Sequence, residues 1–193
     1  SGAGDARAAR KARMNHPALF TERLILRRPE ASDFDAWSAF AADPETTRFI
    51  GGPVARSLAW RQLAAMAGAW DIAGFAMFSV IERATGKWVG RLGPWQPEGW
   101  PGTEVGWGVA PEFAGKGYAH EGATAAMDYA VEMLGWTTII HTINPDNVNS
   151  IRLAQRLGSY NMGPVELPEP YVGERVDAWG QTADEWRARR ATR

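Results

Sequence analysis

The chain has 193 residues, 45% hydrophobic and 22% charged, with a formal net charge of −1. That is enough for one domain with a real core, and the near-neutral balance gives no electrostatic pull toward nucleic acid or a membrane surface. There is no cysteine, which excludes disulfides, thiolate-held metal and a cysteine nucleophile and points to a reducing compartment, the cytoplasm.

Residues 1–13 (SGAGDARAARKAR) are rich in Ala, Arg and Gly and lack the apolar segment of a secretory signal. Either Met14 is a natural start or the basic arm is native; residues 1–15 are expected to be a disordered arm and 16–193 a single domain. Residues 20–27 alternate Leu24 and Leu26 with polar neighbours and predict a first strand, stopped by Pro29. The run from Ser32 to Asp35 has the form of a capping box, and Phe34, Trp37 and Ala41 continue at helical spacing until Asp43-Pro44. Ser57 is a candidate cap for a second helix that carries Leu58, Met66 and Trp70 and ends near Gly74. These two helices either wall a substrate pocket or simply cover the sheet. Residues 75–82 and 87–95 predict a hairpin around Arg83–Gly86, followed by a Trp-rich loop at 96–102. Trp95, just before that loop, and Trp100 within it suggest a hydrophobic or aromatic contact with a substrate or with a second copy of the chain.

Residues 103–122, TEVGWGVAPEFAGKGYAHEG, organise the rest. Val105, Trp107 and Val109 alternate with Glu104, Gly106 and Gly108, which predicts a strand with one bulky face and one nearly bare face that something can approach closely. Pro111 ends it. Gly115 and Gly117 permit a turn in which several N–H groups face one spot at the positive end of a helix, a phosphate-type anion site. A plain packing turn is the competing reading. Ala123, Met127, Ala130, Val131 and Leu134 then mark a long amphipathic helix closed by Gly135. Residues 137–143 predict a strand buried on both faces, so strand, helix and strand form one βαβ unit with parallel strands. Asn147 caps a helix that ends at Gly158. Residues 160–170 read as irregular, 174–181 as a last strand, and the charged tail as a short helix or a frayed end. His16, His120 and His141 lack metal-site spacing, so no metal is expected. His120 stands beside the anion turn, and His141 reads as a hydrogen-bonded core residue.

With those segments in place, the chain resembles the GNAT superfamily of acetyl-CoA-dependent N-acetyltransferases, and within it the RimJ/RimL-like branch. The blocks that carry the resemblance are TERLILR, EVGWGVAPEFAGKGYAHEG and NPDNVNSIRLAQRLG. It implies a mixed α/β fold, a splayed mixed sheet of about six or seven strands flanked by about four helices, with coenzyme A between the two parallel strands. It implies cofactor contacts at Gly108 and Val109, at the N–H groups of Gly115, Lys116, Gly117, Tyr118 and Ala119, and at Asn147. It further implies direct transfer of acetyl to a primary amine in a ternary complex, by a monomer or homodimer. Such chemistry needs a base, oxyanion donors and an acid. Glu104 is the candidate base, the Val109 N–H the oxyanion donor and Ser150 the candidate acid; Tyr118 and Tyr160 are other possible donors. Two departures stand out. Ala154 takes a position where many relatives have Tyr, which leaves room for a coenzyme-A-binding or interaction module without transfer. Gly158-Ser159 replaces the usual Gly-Phe.

Overall fold

The computed structural model describes residues 17–192. The arm expected at residues 1–15, and His16, lie outside the described residues. The strands are β1 (Leu19–Phe20), β2 (Leu24–Arg27), β3 (Phe78–Glu82), β4 (Trp88–Trp95), β5 (Glu104–Val109), β6 (Thr138–Ile143), β7 (Tyr160–Val165) and β8 (Val176–Thr182). The helices are α1 (Phe34–Ala42), α2 (Pro44–Thr47), α3 (Arg56–Ile72), α4 (Tyr118–Glu132), α5 (Val148–Leu157) and α6 (Ala183–Ala191). The sheet order is β1-β2-β3-β4-β5-β6-β8-β7. Every neighbouring pair is antiparallel except β5–β6, which is parallel and joined through α4. The mixed α/β architecture and the βαβ unit are as expected.

The counts are corrected upward: eight strands rather than six or seven, and six helices rather than four among the described residues. The first predicted strand is two, because Thr21 folds back on Leu24 through its backbone N–H and its hydroxyl. Residues 160–165 were expected to be irregular because they lack apolar alternation. They form an edge strand by pairing with β8, a tertiary gain that local pattern does not carry. Asp43-Pro44 ends α1 as expected and also opens a further short helix: Asp43 accepts from the Thr46 N–H at 2.7 Å and Pro44 takes the first turn, where its missing N–H costs nothing. The tail helix α6 starts on a capping box between Thr182 and Glu185.

Two caps differ from expectation. Asp33, not Ser32, fixes the start of α1: its buried carboxylate accepts from the Glu30 N–H, from Ser79 and from both terminal nitrogens of Arg27. This pins α1 to β2 and β3. Ser57 lies inside α3, whose N-cap is Ala55 with no side-chain cap. Trp37, Trp70, Trp88, Trp136 and Trp186 fill the core, with Trp37 and Phe40 of α1 packed against Trp88 at ring separations of 5.9 and 5.6 Å. Half of the ten Trp are therefore core, while Trp100 and Trp107 face the site described next.

Candidate active site

The site begins where the parallel pair comes apart. β5 and β6 are in register only at Glu104–Ile140, with the Ile140 N–H donating to Thr103 O at 3.0 Å. The next rung of a parallel ladder would run from the Thr142 N–H to the Val105 carbonyl. It is absent, and two side chains take its ends. The Thr142 N–H donates to Glu104 Oε1 at 3.0 Å, and Val105 O is bonded to His141 Nδ1 at 2.7 Å. Beyond this point the strands diverge. The Ala110 N–H turns to β4, donating to Val89 O. By strand alternation the peptide groups of Trp107 and Val109 therefore face the gap, and those of Gly108 face β4.

Glu104 is 5% exposed. Its carboxylate accepts from Trp100 Nε1 at 2.5 Å and from both the N–H and the hydroxyl of Thr142. Burial still wins: loss of hydration pushes its pKa up to about 7, while the Thr142 and Trp100 donors and the nearby Arg91 pull the other way. A carboxylate poised there exchanges a proton near neutral pH, as a general base must. The bare face beside it is not open. A Cβ on Gly106 would lie 2.6 Å from Met77 Cε, and one on Gly108 would lie 2.7 Å from Phe40 Cζ. The close approach that these glycines allow is made by the protein's own side chains.

On the opposite face, His141 is buried and closed into a chain. Val105 O can only accept, so Nδ1 carries the proton and Nε2 accepts from Ser159 Oγ at 2.9 Å. Gln181 Nε2 in turn donates to Ser159 Oγ and to Leu157 O. Burial lowers the imidazole pKa to about 4, so the ring is neutral. The serine that replaces the usual phenylalanine thus serves a buried histidine. Trp107 lies over His141 with ring centres 4.7 Å apart and donates from Nε1 to Ser150 Oγ at 3.2 Å. That bond uses an acceptor lone pair of Ser150 and leaves its own proton free to donate.

The Gly-rich turn has the geometry of an anion cradle. Gly115 and Gly117 have φ of +76° and +80°, the left-handed region that only glycine enters cheaply. No backbone carbonyl among the described residues accepts from the N–H groups of residues 115–119, which lead into α4. Arg23 braces the turn by donating to Lys116 O at 2.9 Å while paired with Glu121 at 2.7 Å. Tyr118 donates its hydroxyl to Glu82, which occupies that proton. Asn147 caps α5 through Oδ1 on the Ser150 N–H at 3.2 Å, and its amide NH₂ is bonded to no group among the described residues. Ser150 thus links the Asn147 cap to Trp107 on β5, the strand that carries Glu104 and Val109. Gly108 serves there only as the residue that admits Phe40. His120 falls in the first turn of α4.

Sequence reasoning missed Arg91 and Thr142. Arg91 lies on β4 opposite Gly108, while Trp95 lies opposite Glu104, so Arg91 and Glu104 share a sheet face. Its guanidinium donates to Met77 Sδ at 2.9 Å and lies 5.7 Å from the ring centres of both Trp37 and Phe40. The signal was a lone charge inside the apolar run WVGRLGPW.

Among the described residues, no group of three or more His, Asp or Glu is arranged to hold a metal, and no helix is long and apolar enough to cross a membrane. The model of the acetyltransferase (GNAT) domain matches residues 23–159, well over half of the chain. The uncharacterized N-acetyltransferase p20 of Bacillus licheniformis is 29% identical over 164 residues, spanning 83% of this chain and 92% of that protein. A solved acetyltransferase from Agrobacterium tumefaciens is 29% identical with a TM-score of 0.74, covering 86% of this chain and 94% of that one. The spermidine N-acetyltransferase of Vibrio cholerae, solved with CoA and spermine, shares the fold at 17% identity and a TM-score of 0.69, over 86% of this chain and 99% of its own. The chain therefore belongs to the GNAT family of acetyltransferases and is an N-acetyltransferase of that family.

Proposed function

We propose that this protein is a cytoplasmic, acetyl-CoA-dependent N-acetyltransferase of the RimJ/RimL-like branch that moves an acetyl group to a primary amine by direct attack in a ternary complex. One observation carries the reading: the parallel pair opens directly after Glu104, so unpaired peptide groups of Trp107 and Val109 lie in line with a turn whose five N–H groups have no backbone acceptor. Those groups fit an amide-bearing arm that ends in a pyrophosphate. The N–H groups of residues 115–119 hold the phosphates, Lys116 adds charge, and the Asn147 amide binds the arm. Acetyl-CoA, when bound, would supply the acetyl group as a thioester.

The chain's own residues do the rest. Glu104 Oε takes the proton from the incoming ammonium, directly or through a water. The Val109 N–H donates to the oxygen on which negative charge develops. Ser150 Oγ holds a proton for the departing sulfur. Absence of cysteine removes the thiol route to an acyl-enzyme. A monomer or homodimer with an amine acceptor suffices, with no nucleic-acid or membrane partner.

A second reading, a coenzyme-A-binding or interaction module without transfer, is favoured by Ala154, which is fully buried in α5 and carries no donor. Calorimetric titration with acetyl-CoA, followed by a free-thiol assay over a broad amine panel, separates the two. Saturable micromolar binding with turnover is expected. Binding with no acceptor turned over would favour the second reading, and no binding would sink both.

A further inference from the structure

Arg91 differs from the other arginines that reach into the molecule. Arg27 meets Asp33 at 2.8 Å and Arg28 meets Asp71 at 2.5 Å, whereas no carboxylate among the described residues lies within ion-pair distance of Arg91. Its guanidinium has five donors, and the single hydrogen bond recorded for it goes to a thioether, a weak acceptor. The faces of Trp37 and Phe40 offset part of the cost of bringing this cation inside, but they accept none of its N–H groups in the plane of the fork. Burial works against the charge, and the groups that favour it are Tyr171 and Glu104. Glu104 is itself a poor counter-ion, since it is half protonated near neutral pH. A second donor nearby is also orphaned: Trp37 Nε1 is buried without an acceptor.

Aromatic rings gather on the Glu104 face. Trp100 donates to Glu104 and packs edge-on against Tyr171 at 6.2 Å. The Gly51 backbone lies against the Tyr171 ring, where a Cβ would come within 3.2 Å. Loops 51–52, 96–103 and 166–175 thus converge over Arg91 and Glu104. A half-buried cation whose fork meets no carboxylate stands beside a carboxylate suited to remove a proton from an amine. Together they describe a ligand with an amine at one end and an anion at the other.

We propose that the acceptor is a small amino acid, whose carboxylate is taken by the Arg91 guanidinium while its amine faces Glu104. The proposal rests on the transferase reading above and names its substrate class. A planar carboxylate accepts from a guanidinium fork through two parallel bonds. A polyamine brings only positive charge to a face that already holds a cation with no carboxylate partner, so it is disfavoured. Acetyl transfer then forms an amide bond from the amine nitrogen to the acetyl carbon and breaks the carbon–sulfur bond. Of the two protons the ammonium loses, one goes to Glu104 and the other passes through Ser150 to the sulfur, which leaves as a thiol. The carboxylate is not consumed; it only orients the amine.

The test compares free L-amino acids with their C-terminal amides and with spermidine, using the full chain and saturating acetyl-CoA. Free-thiol release measures transfer, and thermal shift measures binding with and without coenzyme A. At least one amino acid is expected to show kcat/KM more than tenfold above its amide. Arg91→Met, of similar length and at home among Met77, Trp37 and Phe40, should collapse that ratio toward one, mainly through KM for the acid. Calorimetry of that variant with acetyl-CoA confirms that it is folded. Arg91→Lys should recover the preference only in part, because a point charge lacks the fork. Amides or spermidine used as well as acids, or an unchanged ratio in Arg91→Met, would overturn the proposal. So would acetyl-CoA binding with neither turnover nor a thermal shift from any amino acid. Failure of acetyl-CoA to bind would instead strike the transferase reading, while an amino-acid thermal shift that is lost in Arg91→Met would still support a carboxylate site.

Discussion

Glu104 and His141 break the same rung of the sheet from opposite faces, and they do it with opposite chemistry. His141 sits at the end of a closed chain in which Gln181, Ser159, the imidazole and the Val105 carbonyl each find a partner. Its neutral form is the one the chain requires, and burial enforces it. Glu104 also has partners, but three donors do not offset the loss of water, and the carboxyl is left near its midpoint at neutral pH. The first side is a satisfied polar network that fixes geometry. The second is an electrostatic compromise ready to exchange a proton. The same opening in the sheet is thus held by a satisfied network on one face and by a carboxyl near its midpoint on the other.

The largest expected effect falls on the reactive face. Glu104→Gln keeps the Thr142 and Trp100 contacts possible while removing the base, and should lower turnover by about 10²- to 10³-fold at pH 7. The acid limb of the wild-type kcat/KM profile, near pH 7, should vanish with it. A variant with wild-type turnover would end the assignment. On the structural face, His141→Ala leaves Val105 O without its imidazole donor and the Ser159 hydroxyl without its acceptor, and opens a void. It should cost roughly 2–4 kcal/mol in urea unfolding, with turnover affected mainly through misplacement of the gap.

The pair also carries a signature in pH. The Glu104 pKa is raised from 4.5 to about 7 on folding, so the folded state holds the extra proton between those values. Stability falls as pH rises through that window, by roughly 3 kcal/mol in all. The His141 pKa is lowered from 6.5 to about 4, so the unfolded state holds the extra proton. Stability is present above 6.5 and lost as pH falls toward 4, by roughly the same amount. Between about 4.5 and 6.5 the two slopes oppose and largely cancel. Glu104→Gln should therefore unmask a stability that climbs with pH across this window, and at pH 8 it should be more stable than wild type by about 1–2 kcal/mol, less than the full penalty because an amide NH₂ now stands among donors. His141→Gln should unmask the reverse slope. Denaturation series at pH 4.5, 5.5, 6.5 and 8 read both; parallel curves for wild type and variants would remove the electrostatic contrast.

Ser150→Ala should have the smallest effect, a loss of less than about tenfold in turnover, because its Oγ is one of several groups at the start of α5 and a water can reach the same place. A loss comparable to that of Glu104→Gln would promote Ser150 to an essential acid.

Local signals account for much that was legible beforehand. Alternation in residues 103–109, the two glycines with positive φ, the Asn147 cap and the Gly158 stop are properties of a few neighbouring residues, and each is found where its pattern placed it. The βαβ unit follows from those elements in sequence. The edge strand β7 was not legible, because its residues gain their order only from β8. The identity of the side chains lying against Gly106 and Gly108 was not legible either: Met77 and Phe40 come from another strand approach and another helix.

The sequence by itself determined most of the elements, their order, the Gly-rich turn and the family, since these depend on spacing along the chain. Only the tertiary structure decided what the charges do. Glu104 became a neutral-pH carboxyl, His141 a neutral ring and Arg91 a cation without a carboxylate partner because β4, β5 and β6 bring together residues far apart in the chain. The energy of a charge is set by the water it loses and the partners it meets, and neither is a property of its neighbours in sequence.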